Sequence, residues 1–136
     1  MIVVDASIAL KLILHEPDSA IVRPRWQQWA MAGEIRLAPP PFRSETLSVI
    51  RRSVYRGILD RVDGDAAAQQ LLVLPIQIRE PPELYQRAWQ LSVRYNRPTI
   101  YDCCYLALAE IEQCEFWTAD RRLANAVGSL SWLHLP

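Results

Sequence analysis

The stretch Ile2-Val3-Val4-Asp5-Ala6-Ser7 decides the fold: three apolar residues, then an acid, a small residue and a hydroxyl suited to start a helix. An apolar run this short and unbroken is the mark of a strand buried on both faces, as in a parallel sheet. Ser7 reads as the cap of a helix carried by Ile8, Leu10, Leu12 and Ile13 to His15, where Glu16-Pro17-Asp18 ends it. Asp5 is thereby placed where a buried strand hands over to a helix.

The same alternation continues outward. Ser19 opens a Trp-bearing helix that ends near Gly33; Ile35 to Ala38 reads as a strand, Pro39-Pro40-Pro41 stops it, and Phe42 to Arg56 repeats apolar residues at helical spacing. Helices follow over Arg61 to Leu74 and Glu83 to Tyr95, with a short strand Ile76-Gln77-Ile78 between them. Thr99 opens another apolar helix through Tyr105, Leu108 and Ile111. Phe116-Trp117-Thr118 is a second buried-strand run, and Arg121 to Val127 is the last helix. This order predicts an α/β fold, a three-layer α/β/α sandwich around a central, mainly parallel twisted sheet. With no repeat, linker or low-complexity segment, residues 1–136 are expected to form a single domain.

Composition narrows the function classes. Half of the residues are hydrophobic, yet no run nears the ~18 apolar residues of a membrane span. The chain opens directly on a strand, without the basic start and apolar stretch of a signal peptide, so a cytoplasmic setting with no membrane partner is expected. Cys103, Cys104 and Cys114 lack zinc-site spacing and are expected to be reduced packing residues. His15 and His134 lie at opposite ends of the chain, far from any cysteine pair. Fifteen basic and fifteen acidic residues cancel, so bulk charge announces no polyanion. All the basic residues but Lys11 are arginine, however, and Arg43, Arg51, Arg52, Arg56, Arg97, Arg121 and Arg122 fall near suggestive acids or on helices leading from them. Arginine suits phosphate through its planar fork, though codon composition explains the same bias equally well.

Four acids carry the chemistry: Asp5, Glu45, Asp102 and Asp120. Each has an ordinary structural use. Asp5 and Asp120 suit caps or turns, Asp102 stands three residues after Thr99 as in a capping box, and Glu45 sits in the first turn of the third helix by the expected boundaries. In a parallel α/β sheet, however, strand ends and the helix starts that follow them meet along one edge, so all four would face one another. Gathered carboxylates either take up protons or hold a cation. An oxygen-only set suits Mg²⁺ or Mn²⁺, and paired ions roughly 4 Å apart activate water and steady the leaving oxygen in phosphodiester chemistry. Ser7 and Thr118 are accessory hydroxyls at this edge, as ligands, caps or supporting partners.

Four segments carry a family resemblance: Val4-Asp5-Ala6-Ser7, Ser44-Glu45, Tyr101-Asp102-Cys103-Cys104-Tyr105-Leu106-Ala107-Leu108-Ala109, and Thr118-Ala119-Asp120-Arg121-Arg122-Leu123. In order and spacing the chain resembles the PIN-domain family, and within it the VapC-type ribonuclease toxins. The resemblance implies a PIN-like α/β/α fold, metal-dependent endonucleolytic cleavage of RNA, and Asp5, Glu45, Asp102 and Asp120 as metal-binding acids, with Ser7 and Thr118 as accessory groups. It also implies a homodimer and a small antitoxin whose tail covers the cleft. Trp117, at a usually aliphatic site, and Cys103-Cys104, in place of smaller residues, depart from the common pattern.

The leading expectation is therefore a Mg²⁺- or Mn²⁺-dependent endoribonuclease, the toxin of a type II toxin–antitoxin system, with Arg43, Arg121 and Arg122 as candidate contacts to RNA phosphate. Two alternatives stand beside it. One is a phosphoryl-accepting α/β domain with Asp5 or Asp120 as nucleophile, against which the lone lysine in the first helix and the lack of an Asp-x-Asp pair count. The other is a catalytically silent PIN-like binding module. Trp26 and Trp29 suit either an antitoxin groove or ordinary core packing.

Overall fold

The computed structural model describes residues 1–136. In chain order the elements are β1 Ile2–Val4, α1 Ala6–Ile13, α2 Ser19–Met31, β2 Arg36–Ala38, α3 Pro41–Tyr55, α4 Arg61–Leu72, β3 Ile76–Ile78, α5 Leu84–Arg94, α6 Tyr101–Glu112, β4 Glu115–Trp117, α7 Arg121–Val127 and β5 Leu133–His134. Every strand pairing is parallel, and the sheet order is β3-β2-β1-β4-β5. With its flanking helices this is the α/β/α sandwich that the alternation of strand and helix predicts. The chain builds outward from β1 in one direction and then returns to start again at β4. The switch point between β1 and β4 is where open α/β sheets place their ligands.

The apolar runs do what their patterns require. Val3, Val4, Leu37, Ala38 and Phe116 are fully buried, and α6 buries seven consecutive residues from Cys103 to Ala109. A helix buried all round is a core helix, which is why α6 reads as almost uniformly apolar. One contiguous cluster of buried apolar side chains runs from Ile2 to Val127.

Helix starts differ from the expectations in ways that bear on the acids. The cap position of α1 is Asp5, not Ser7, and the Asp5 side chain makes no capping bond. α6 begins at Tyr101 with Ile100 at its cap position, so Thr99 and Asp102 form no capping box. Pro41 enters α3 as its first residue, because a proline there gives up only an amide that has no helical partner. This earlier start puts Glu45 in the second turn of α3 rather than the first, and α3 has no acid in its opening turn. Of the four acids only Asp120 is a working cap.

α3 is held by a close approach to α4. A Cβ placed on Gly64 would fall inside the van der Waals envelope of Val54 Cγ2, and a helical valine has few rotamers with which to give way. Alanine at this position would gain about 1 kcal/mol of helix propensity, whereas overpacking of this kind costs about 1–3 kcal/mol. Gly64→Ala is expected to lower the midpoint of urea unfolding, and Val54→Ala in the same chain to recover part of the loss. A Gly64→Ala protein as stable as the parent would show that the two helices separate freely.

Candidate active site

Asp5 stands at the carboxyl end of the central strand, its amide donating to the Trp117 carbonyl of β4 at 3.0 Å. Asp5 is only 6% exposed, so the protein must supply what water does not. Ser7 Oγ donates to Asp5 Oδ2 at 2.7 Å and Thr118 Oγ1 donates to the same oxygen at 2.6 Å. Each hydroxyl in turn accepts a backbone amide from the turn after β4, Ala119 N to Ser7 Oγ at 2.9 Å and Asp120 N to Thr118 Oγ1 at 3.0 Å. The amides fix the hydroxyl oxygens, and each hydroxyl's one proton goes to the acid. Burial pushes the Asp5 pKa up, the Thr118 and Ser7 bonds pull against that shift, and the charge of Asp102 adds to it.

Glu45 reaches the site from α3 and Asp102 from the second position of α6. Glu45 Oε2 accepts the Tyr105 hydroxyl at 3.0 Å. Burial, then the charge of Asp5, raise the Glu45 pKa to about 7, with Asp102 adding to the shift and the Tyr105 bond opposing it. Tyr105 is itself fully buried among these acids, and burial first and then their charges keep its phenol protonated, hence a permanent donor. Asp102 Oδ2 lies 3.3 Å from Arg97 Nη2. Asp5, Glu45 and Asp102 thus act on one another electrostatically, and among them Arg97 is the one cationic side chain in contact.

Asp120 is placed differently. Its Oδ1 accepts the amides of Arg122 at 2.8 Å and Leu123 at 3.1 Å, so that oxygen caps α7. It joins the other acids through Thr118, whose hydroxyl bridges the Asp120 amide and Asp5. An oxygen-only donor set with mutual repulsion and a single guanidinium suits a hard divalent cation. In the side-chain arrangement observed, no three acids close around a common ion. The donors match such an ion in their chemistry.

The arginines expected to meet phosphate are distributed otherwise. Arg43 Nη1 donates to the Leu72 carbonyl at the end of α4, at 3.4 Å, while Arg121 and Arg122 are exposed on the first turn of α7. Arg97 stands among the arginines expected near the acids, but its pairing with Asp102 and the hold of Tyr105 on Glu45 were not foreseen. Tyr105 lies three positions after Asp102 and so shares its helix face, a spacing that contained the signal. Trp29 is buried and packs edge-on against Trp117 at 5.2 Å, so it belongs to the core rather than to a groove. Cys103 and Cys104 are buried thiols, pushed up to about 11 mainly by burial. The largest cavity, about 720 Å³ and lined by Met1, Glu34, Gln113 and Trp132 among others, opens at the opposite edge of the sheet, where the strands begin. Lys11 pairs with Glu16 and Asp18 at 3.2 and 3.1 Å, which leaves no lysine at the acids to serve an acyl phosphate.

Residues 2–128 match the family described as PIN domain. The chain is 35% identical over 128 residues to Ribonuclease VapC12 of Mycobacterium tuberculosis, covering 94% of this chain and 93% of that protein. It is 33% identical over 125 residues to Ribonuclease VapC9 of the same organism, covering 92% and 90%. Among solved structures it is similar to VapC20 of M. tuberculosis, a Sarcin-Ricin loop cleaving toxin, with a TM-score of 0.69 at 18% identity over 96% and 97% of the two chains. It is also similar to a structure of VapBC2 from Rickettsia felis bound to a promoter DNA fragment, with a TM-score of 0.69 at 12% identity over 99% and 98%.

The raised Glu45 pKa sets a sign for stability in the absence of metal. Where the folded acid holds its proton more tightly than the unfolded one, stability is fully present below the unfolded pKa and is lost as pH rises through the folded pKa. For Glu45 that window runs from 4.5 to about 7, and Asp5 acts in the same direction. Glu45→Gln, which keeps an acceptor for Tyr105, should match the parent at mildly acidic pH and exceed its stability at alkaline pH. Urea unfolding in EDTA at both pH values measures the difference; an equal offset at both would show that Glu45 is not strained by its neighbours.

Proposed function

The chain belongs to the PIN-domain family, on its VapC ribonuclease branch, and from that premise we propose that it is the toxin endoribonuclease of a toxin–antitoxin pair, its cleavage of RNA dependent on Mg²⁺ or Mn²⁺. One observation carries the reading: carboxylates from three parts of the chain gather at the switch point of a parallel sheet, where the charge of Asp102 raises the pKa of Asp5 and the charges of Asp5 and Asp102 add to the burial that raises that of Glu45. Asp5, Glu45 and Asp102 would hold the ion, with Asp120 joining from α7. When bound, such an ion supplies a water of lowered pKa and charge to stabilise the scissile phosphate.

The remaining roles belong to side chains of the protein. Ser7 and Thr118 hold Asp5 by one oxygen, which fixes the direction in which the other presents itself. Tyr105 holds Glu45 in the same way. We extend the proposal to residues 1–136 acting as one nuclease domain, supported by the single apolar cluster. A small antitoxin partner is supported by the VapBC likeness, and a homodimer and a cytoplasmic setting complete the reading. No helix is long and apolar enough to cross a membrane.

The use of Asp120 Oδ1 as a helix cap favours a second reading, a binding module without catalysis. Substitution separates the two. Asp5→Asn or Asp102→Asn should leave the circular dichroism of the protein intact and reduce cleavage of a total RNA pool below about 1% of the parent rate, beyond the ten- to hundredfold losses of supporting residues. Excess EDTA should do the same to the parent protein. Cleavage that survives either treatment removes the metal-dependent nuclease, and calorimetric Mn²⁺ binding with no cleavage at all selects the silent module.

A further inference from the structure

Arg97 follows the end of α5. Asn96 takes a left-handed φ of 50°, the Arg97 amide donates back to Ser92 at 2.8 Å and the Asn96 amide to Val93 at 3.2 Å. That closure of a helix end fixes the backbone of Arg97 and aims its long side chain at Asp102, five residues ahead. The resulting ion pair is a loose one. A single Nη2–Oδ2 contact of 3.3 Å takes the place of the two-pronged fork that Arg and carboxylate form when matched, and the side chains are 23% and 33% exposed. Arg97 Nε is buried and has no acceptor. A buried donor without an acceptor is unfavourable and is rare in settled structure. The guanidinium therefore neutralises part of the acid cluster while leaving donors unused.

We infer that Arg97 is a displaceable counter-ion, resting on Asp102 until a divalent cation takes its place and then turning its guanidinium to a phosphate of the RNA strand. A cation among these acids repels the guanidinium next to it, and like charges so close at a partly buried site do not share it without loss. Once released, the planar fork has the geometry that phosphate oxygens accept. The inference rests on the ribonuclease reading and adds to it an exchange of partners: the ion and Arg97 compete for Asp102, whereas the ion and RNA binding support each other.

Two measurements test this, each on parent protein, Arg97→Gln and Arg97→Lys, with equal urea midpoints confirming that all are folded. Calorimetry without RNA should show Mn²⁺ binding up to about fivefold tighter in Arg97→Gln, the range released by a partly exposed ion pair. Fluorescence anisotropy with a short random-sequence RNA should give equal salt slopes for parent and Arg97→Gln in EDTA. With Ca²⁺ present and the RNA checked intact on a gel, Arg97→Gln should lose about 0.7 of the slope of log K against log salt, one single-strand phosphate contact. Arg97→Lys, which keeps the charge, should keep that slope. Weaker or unchanged Mn²⁺ binding in Arg97→Gln, or a slope difference that persists in EDTA, overturns the exchange, and a Lys variant with the slope of Gln overturns the phosphate contact. A parent protein that binds neither ion nor RNA overturns the ribonuclease reading together with this one.

Discussion

A carboxylate buried at the end of the central strand has to find its solvation inside the protein, and Asp5 finds it in two hydroxyls from opposite ends of the chain. A hydrogen bond to a charged group contributes about 1.5–3 kcal/mol, so losing either would be felt. More follows from how the hydroxyls are themselves held. Because the amides of Ala119 and Asp120 donate to them, the turn after β4 is tied to the turn after β1. The pairing of Val4 with Trp117 brings the two turns side by side, and the Asp5 network keeps them there. The same contacts that make burial of the acid tolerable also define the floor of the site.

Above that floor the balance is unfavourable by construction. Glu45 is drawn out of water and against Asp5 and Asp102, and burial first and then those charges push its pKa up to about 7. The protein answers with a phenol that cannot ionise and a guanidinium that is only loosely engaged. Tyr105 orients Glu45 without neutralising it, and Arg97 neutralises Asp102 without saturating it. An arrangement built only for stability would replace these groups with apolar residues or a matched ion pair. What is left over is negative charge without a full partner, concentrated at the sheet's switch point.

Strands β1 to β4 and the order of helices were legible in the sequence because their signals are local: an apolar run of three for β1, Phe116-Trp117 for β4, prolines and glycines between elements; the two-residue β5 carries no such signal and was not expected. Cap positions were not. Pro41 starting α3 one residue early was enough to move Glu45 from the first turn to the second, and Ile100 rather than Thr99 at the start of α6 dissolved an apparent capping box. Both errors gave an acid a bland local use that it does not have. For Asp120 the bland use is the one observed. The contacts of Arg97 with Asp102 and of Tyr105 with Glu45 were not legible for a physical reason: one residue looks like a surface charge and the other like a core ring until α5, α6 and α3 are packed together.

Strand β4 joins these parts through its alternation. Phe116 points to one face, where the Tyr105 ring stacks on it at 6.2 Å, and Trp117 points to the other, where Trp29 meets it edge-on at 5.2 Å and His134 lies against it at 4.9 Å. Arg25 stacks over the Trp117 ring at 4.9 Å, and its indole N–H donates to Glu115. A large aromatic where an aliphatic residue is usual is thus accommodated entirely on the α2 face, away from the acids. On the α6 face, the ring that holds Glu45 rests on the residue two before Thr118, which holds Asp5. Two of the three clustered acids are therefore referenced to one strand, and a shift of β4 by even part of a residue would misplace the donors of both.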